Sequence, residues 1–221
     1  MPGDRPGRAI IWDLPIRLFH WAIVAAIAAS WWTSEQEDSE THALIGYTVI
    51  ALLLFRFAWG FFGSETARFG SFVRPPSEAL EHIRHLLRPG KLDRHVGHNA
   101  LGGYSVLLLL ASLSVQVVTG LFLYDDEYFW APLNAWVSED MADLLEDVHE
   151  ANFNLLLVLI GLHVAAILFY GFVKGLDLVR PMLSGRAELP AGSAPQLAPL
   201  WLAAVLATGA GLLVWYLLAS G

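Results

Sequence analysis

Four histidines lie inside or at the rim of strongly apolar segments of this 221-residue chain: His20, His42, His149 and His163. The last two are 14 residues apart on one segment. On an α-helix, this spacing places them roughly 21 Å apart along the axis and within about 40° of each other around it. One helix face would then carry an imidazole near each side of a membrane. Because imidazole is a common axial ligand of haem iron, the pattern predicts a helix that holds two haems.

The composition predicts an integral membrane protein. Hydrophobic residues make up 56% of the chain and charged residues 15%, and the apolar residues come in long blocks. A run of about 20 apolar residues matches a hydrocarbon layer of about 30 Å. Five such runs are present, and they predict helices at about 15–32, 42–62, 98–124, 149–173 and 197–219. The expected fold is all-α, with a four-helix transmembrane domain (15–186), a linker (187–196) and a fifth C-terminal transmembrane helix.

The basic residues predict the orientation. All 13 Lys and Arg residues fall on one side of the expected topology. Because basic residues favour the cytoplasmic side, the N-terminal segment 1–14 is expected to be cytoplasmic and the C-terminus to lie outside. The first apolar run also resembles a cleaved signal peptide. Trp31, Trp32 and the acidic stretch that follows favour a retained helix instead.

The outer loops are acidic, and they carry most of the net charge of -8. A docking surface for a basic soluble partner, such as a small cytochrome c, is one interpretation. The other is that these loops merely lack basic residues. No nucleic-acid partner is expected. The acidic residues are Glu35, Glu37, Asp38 and Glu40 in the first loop, and Asp125, Asp126, Glu127, Glu139, Asp140, Asp143, Glu146, Asp147 and Glu150 in or beside the second.

The absence of cysteine excludes thiolate-bound iron–sulfur clusters and covalent haem attachment, so any haem is non-covalent. Zinc held only by histidine would need three or four of them at one depth. The four histidines instead sort into two levels. His42 and His149 are expected near the outer surface, and His20 and His163 are expected deeper, at matching depths. For a single histidine, hydrogen bonding across helices is the alternative.

A family resemblance follows from the stretch Trp12-Asp13-Leu14-Pro15-Ile16-Arg17-Leu18-Phe19-His20-Trp21. It resembles the opening of the bacterial cytochrome b561 family, which includes the cytochrome b subunits of nickel–iron hydrogenases. The resemblance covers about residues 10 to 186. The further landmarks are His42 with Gly46, the turn Gly97-His98-Asn99, Thr119-Gly120, and the pair His149 and His163.

The resemblance implies a four-helix di-haem b cytochrome of the bacterial inner membrane, with a periplasmic C-terminus. His20, His42, His149 and His163 would be the axial ligands. The chain would pass electrons between a periplasmic redox partner and membrane quinone, as an electron-transfer protein or a quinone oxidoreductase subunit. The fifth helix, 197–219, departs from the family pattern. The direction of flow, the quinone and dimerisation are left open.

Two other functions are kept as alternatives. One is a membrane anchor subunit of a hydrogenase or of another periplasmic oxidoreductase. The other is a haem-free carrier of protons or metal ions that uses the histidine ladder. A carrier would be favoured by a helix broken at mid-membrane or by an internal repeat, and the sequence shows neither feature.

Four further residues are candidates for cofactor binding. Gly46, one turn after His42, would leave room for a flat macrocycle, although glycine also allows ordinary close helix packing. His98 is a rival ligand that would pair with His20 or His163. Alternatively, His98, Asn99 and Arg17 form a polar lining near the inner haem, where a propionate or a quinone headgroup needs donors.

The basic loop between the second and third spans contains a predicted amphipathic helix. Pro75-Pro76 precedes Leu80, Ile83 and Leu87 at helical spacing, and Pro89-Gly90 ends the pattern. This helix is expected to lie on the inner leaflet or to dock on a partner subunit. The histidines of this loop, His82, His85 and His95, are expected to be solvated.

Overall fold

The computed structural model describes residues 7–86, 90, 96–124, 129–190 and 192–220. Several residues used in the predictions lie outside the described residues: Arg5, Leu87, Arg88, Pro89, Lys91, Arg94, His95, Asp125, Asp126 and Glu127. The described elements, in chain order, are β1 (Gly7–Ile10), α1 (Leu14–Glu35), α2 (Ser39–Phe62), a 3₁₀ turn (Glu65–Ala67), α3 (Phe69–Phe72), α4 (Pro76–Leu86), α5 (Ala100–Gly120), a second 3₁₀ turn (Asn134–Trp136), α6 (Glu139–Phe172), α7 (Val179–Ser184), β2 (Arg186–Leu189) and α8 (Leu200–Ser220).

Within the described residues, five helices are long and apolar enough to cross a membrane: α1, α2, α5, α6 and α8. A helix satisfies its backbone hydrogen bonds within one segment, which the apolar interior of a bilayer requires. The prediction of an all-α integral membrane fold is therefore confirmed.

Side-chain caps set where three of these helices begin. The carboxyl oxygen Oδ1 of Asp13 accepts the Ile16 N–H at 2.7 Å, and Oδ1 of Asp38 accepts the Thr41 N–H at 3.0 Å. The Asn99 Oδ1 accepts the Gly102 N–H at 2.7 Å. Each oxygen satisfies one of the amide groups that the first helical turn leaves without a partner. His98 and Asn99 therefore precede α5, although the predicted third helix began at 98.

The fourth spanning helix starts earlier than expected. The apolar pattern placed its start near 149, but α6 begins at Glu139. Its 34 residues measure about 51 Å at 1.5 Å per residue, which exceeds a hydrocarbon layer of about 30 Å. The first three turns are acidic, so hydropathy alone did not mark them as helix. Glu139 and Asp140 lie in the first turn of α6, where acidic side chains favour the start of a helix.

A two-stranded antiparallel sheet was not predicted. β1 pairs with β2 in a register that places Arg8 opposite Glu188 and Ile10 opposite Arg186. The segments expected to be an N-terminal tail and a linker from 187 therefore contribute strands. The two strands are far apart in the chain and only four residues long, so no local pattern reveals their pairing.

The chain divides into two compact units. Unit 1 comprises Met1–Leu18, Ala58–Leu108 and Leu159–Ala203, and unit 2 comprises Phe19–Phe57, Leu109–Val158 and Ala204–Gly221. The core of unit 1 includes the fully buried Trp59 and Phe72. The core of unit 2 includes Leu53 and Leu156.

Candidate functional site

Unit 2 contains a cavity that holds two of the predicted haem ligands, His42 and His149. The volume of this cavity is about 170 Å³. Most of its wall is apolar and includes Ile27, Val49, Ile50, Leu113, Val117 and Leu156.

His42 lies in the first turn of α2, and its ring is half-buried. Its Nδ1 lies 2.9 Å from the backbone oxygen of Ser30 in α1. A carbonyl oxygen only accepts hydrogen bonds, so Nδ1 must carry the proton. The neutral ring then has its lone pair on Nε2, which is the form in which imidazole binds a metal.

His149 is held in the same form by a different group. Its Nδ1 lies 3.0 Å from the hydroxyl oxygen of Thr119 in α5. That hydroxyl is 2.9 Å from the backbone oxygen of Val115 and 3.0 Å from that of Gln116. Since both of those oxygens only accept, the single Thr119 proton is used there. Thr119 therefore accepts from Nδ1–H of His149, and Nε2 again has the lone pair.

The separation of the two rings fits a shared metal. The ring centroids of His42 and His149 are 6.3 Å apart. A metal bound by one nitrogen of each ring at about 2 Å would place the centroids about 6 Å apart. The cavity wall also lacks a side chain at Gly46, where an added Cβ would meet no atom within 4 Å. The residues present therefore fit a haem with one imidazole on each face.

The family model for prokaryotic cytochrome b561 matches residues 11–185. The chain belongs to the prokaryotic cytochrome b561 family. Among curated proteins, no significant match is found. As a cytochrome b561 family member, the protein is a multi-pass membrane b-type cytochrome that binds b-type haem and functions in electron transfer. The predicted family and its electron-transport role are thereby confirmed.

A buried polar cluster beside this cavity was missed in the sequence. The Asn152 side chain donates to the Ser112 backbone oxygen at 3.0 Å and to Gln116 Oε1 at 2.6 Å. The Ser112 hydroxyl donates back to Asn152 Oδ1 at 3.1 Å. Because Asn152 lies one turn after His149, the cluster fixes α6 against α5 next to the ligand. Polar residues four apart in an apolar run, as at 112 and 116, were the available signal.

His20 and His163 are half-buried on α1 and α6, respectively. α6 contains both His149 and His163, as the 14-residue spacing required. The His20 ring lies 4.9 Å from the ring of its neighbour Trp21. His20 belongs to unit 2 and His163 to unit 1, and their pairing at one iron stays a prediction.

The residues expected to line the inner haem make contacts within unit 1. The His98 ring lies between Trp12, at 4.7 Å, and Phe72, at 4.8 Å. Arg17 Nη1 donates to the Leu183 backbone oxygen at 2.6 Å. Asn99 caps α5, as described above. Their binding of a propionate or a quinone stays a prediction.

The histidines of the basic loop differ from each other. The prediction that His82 is solvated was wrong, because its half-buried ring has Nε2 2.8 Å from the hydroxyl of Tyr170. Tyr170 also accepts from Asn99 Nδ2 at 3.0 Å. This contact joins α4, α6 and the start of α5 within unit 1. His85 is exposed, as expected, and lies 3.8 Å from Glu81.

Proposed function

We propose that this protein is a di-haem b cytochrome that moves electrons across the bacterial inner membrane between a periplasmic redox partner and the quinone pool. His42 and His149 hold the outer haem, and His20 and His163 hold the inner haem. When bound, each haem supplies a centre that takes up and releases one electron without a proton. The N-terminus is cytoplasmic and the C-terminus periplasmic.

One observation supports the assignment of the outer haem site. The ring centroids of His42 and His149 are 6.3 Å apart, and each ring has its Nδ1 engaged with an acceptor. An interior packing role would not require both Nε2 atoms to keep a lone pair. A second nitrogen held by a hydrogen bond is the usual arrangement of a metal-binding histidine. Family membership supports the haem and disfavours the haem-free carrier.

The experiment is a count of haem per chain with a reduced-minus-oxidised spectrum of the purified protein. The wild type is expected to hold two haems. His149→Ala and His42→Ala should each lose the same haem, and His20→Ala and His163→Ala the other. His85→Ala, on an exposed ring, is the matched control and should keep both. Unchanged haem content in His149→Ala, or one haem in the wild type, would refute the proposal.

The partner surface proposed for the outer side is the acidic start of α6. Asp143, Glu146, Asp147 and Glu150 are exposed and recur at positions i, i+3, i+4 and i+7, so they share one helix face. A stripe of this kind attracts a basic soluble redox protein such as a c-type cytochrome. Its association rate should fall as salt is added and should fall further in Asp143→Asn/Glu146→Gln/Asp147→Asn.

The charge asymmetry also supports a direction. Adding an electron beside carboxylates is disfavoured, so the outer haem should have the lower potential and electrons should run inward. A redox titration of the four histidine variants assigns each potential. An outer haem with the higher potential would contradict the inward direction and would leave the two sites intact.

A membrane-anchor role in a hydrogenase-like complex is the second candidate, and α8 supports it. Trp201, Trp215 and Tyr216 on this helix are 62–67% exposed. Such a surface suits helix packing against a partner subunit as well as lipid. Copurification of a second redox subunit, lost when residues 200–221 are deleted, distinguishes this role from a free-standing cytochrome.

A further inference from the structure

Three arginines of unit 1 line one groove of about 550 Å³: Arg8, Arg180 and Arg186. Arg8 lies on β1, Arg186 on β2 and Arg180 on α7. The strand register places Arg8 and Arg186 diagonally across the same face of the sheet. Three separate elements therefore bring guanidinium groups to one place.

These arginines have no anionic partner within the described part of the chain. No ion pair joins any of the three to a carboxylate there. Two carboxyl groups share the groove, Asp177 and Glu188. Asp177 Oδ1 is engaged by the N–H groups of Val179 and Arg180, both at 3.0 Å. With three guanidinium groups against two carboxyl groups, the groove has one excess positive charge, which favours an added anion.

Two exposed apolar side chains of α7 are next in the chain to residues that line the groove. Val179 and Leu183 are one turn apart on α7 and are 46% and 58% exposed. The residues that follow them in the chain, Arg180 and Ser184, line the groove. A soluble anion would leave these apolar side chains uncovered, whereas an acyl chain would cover them.

We propose that this groove binds the headgroup of an anionic phospholipid. The phosphodiester lies among Arg8, Arg180 and Arg186, and the acyl chains lie along Val179 and Leu183. Arg forms bidentate hydrogen bonds with phosphate oxygens, which suits it to this headgroup. The site is separate from the histidines, so it does not depend on the haem assignment.

The test is native mass spectrometry of the full chain with added phosphatidylglycerol or phosphatidylcholine. The wild type should bind phosphatidylglycerol and should not retain phosphatidylcholine. Arg180→Gln/Arg186→Gln should bind phosphatidylglycerol about thirtyfold more weakly, since each basic residue near a charged headgroup contributes about 1 kcal/mol. Arg68→Gln/Arg74→Gln removes two arginines outside the groove and is the matched control. The control should bind as the wild type does.

A second variant tests the same inference, because it should raise the affinity for phosphatidylglycerol rather than lower it. Glu188→Gln removes the carboxyl group opposite Arg8 and should tighten phosphatidylglycerol binding severalfold. This arm keeps the inference testable if the double arginine variant does not fold, which circular dichroism would report.

Three outcomes would overturn the inference. Equal weakening in Arg180→Gln/Arg186→Gln and in the control would mean that binding depends on overall charge. Complete displacement of phosphatidylglycerol by inorganic phosphate would mean a site for the free anion. Unchanged binding in Glu188→Gln would mean that the groove is not where the headgroup lies.

Discussion

The His42 and His149 pair of unit 2 and the His98 ring of unit 1 are held in different ways. In unit 2, His42 and His149 each engage one ring nitrogen and border a cavity. In unit 1, the ring of His98 is packed between Trp12 and Phe72. A site that receives a cofactor keeps a ligand atom and a space beside it. A structural cluster fills the space with protein atoms.

The cluster of unit 1 also explains the opening motif of the family. Asp13 accepts from the Ile16 N–H and, through Oδ2, from Trp59 Nε1 at 3.0 Å. The backbone oxygen of Gly185 accepts the N–H groups of Ile11 and Trp12. These contacts fix the first spanning helix in place. Most of the motif is therefore architectural, and His20 is its candidate ligand.

The largest effect on stability should come from Asp13→Ala. The substitution removes the carboxyl group whose one oxygen caps α1 and whose other oxygen accepts from the buried Trp59. The free energy of unfolding should therefore fall by about 3 kcal/mol. Unfolding by SDS in mixed micelles measures it. Asp147→Ala, at an exposed position, is the control. Equal stability of the two variants would mean that the opening motif is not a structural cluster.

In the cavity of unit 2, Thr119→Val should affect haem binding. His149 would lose the acceptor of its Nδ1–H, and such a loss typically weakens metal binding about tenfold or more. The ligand also becomes a weaker electron donor, so the outer haem potential should rise. The rate of haem release measures the weaker binding, and a redox titration measures the potential. Thr119→Ser keeps the hydroxyl and should behave as the wild type; a similar loss in Thr119→Ser would assign the effect to packing.

A smaller effect is expected from Gly46→Ala. An added Cβ meets no protein atom within 4 Å, so folding should be unaffected or slightly favoured by the helix propensity of alanine. Haem binding should weaken severalfold, because the methyl group enters the cavity. Gly211→Ala on α8, which is equally open, should leave haem binding unchanged. If Gly46→Ala also leaves it unchanged, the haem does not lie against this part of α2.

The smallest effect concerns the cap of α2, which carries His42. Hydrogen bonds from Thr41 lower the pKa of Asp38 below its ordinary value of 3.8. The stabilisation is therefore present above that value and is lost as the pH falls through the lowered pKa. Asp38→Asn should make unfolding less dependent on pH in this acidic range than in the wild type. Glu37→Gln, which removes an exposed neighbour, should not alter that dependence.

Much of the fold and part of the site were predictable. Long apolar runs indicated five spanning helices, and helical geometry indicated that His149 and His163 share one helix. The acidic start of α6 was missed because hydropathy measures the preference for the membrane interior. A helix that continues into water loses that signal while its backbone pattern is unchanged.

The sequence by itself determined the membrane setting, the family and the candidate ligands, because these depend on composition, on helical periodicity and on a local motif. Only the tertiary structure decided that Ser30 and Thr119 fix the tautomers of His42 and His149, and that Arg8 and Arg186 share one face. Those facts require contacts between segments distant in the chain. Such contacts depend on how helices and strands pack, and short-range sequence patterns carry no record of that packing.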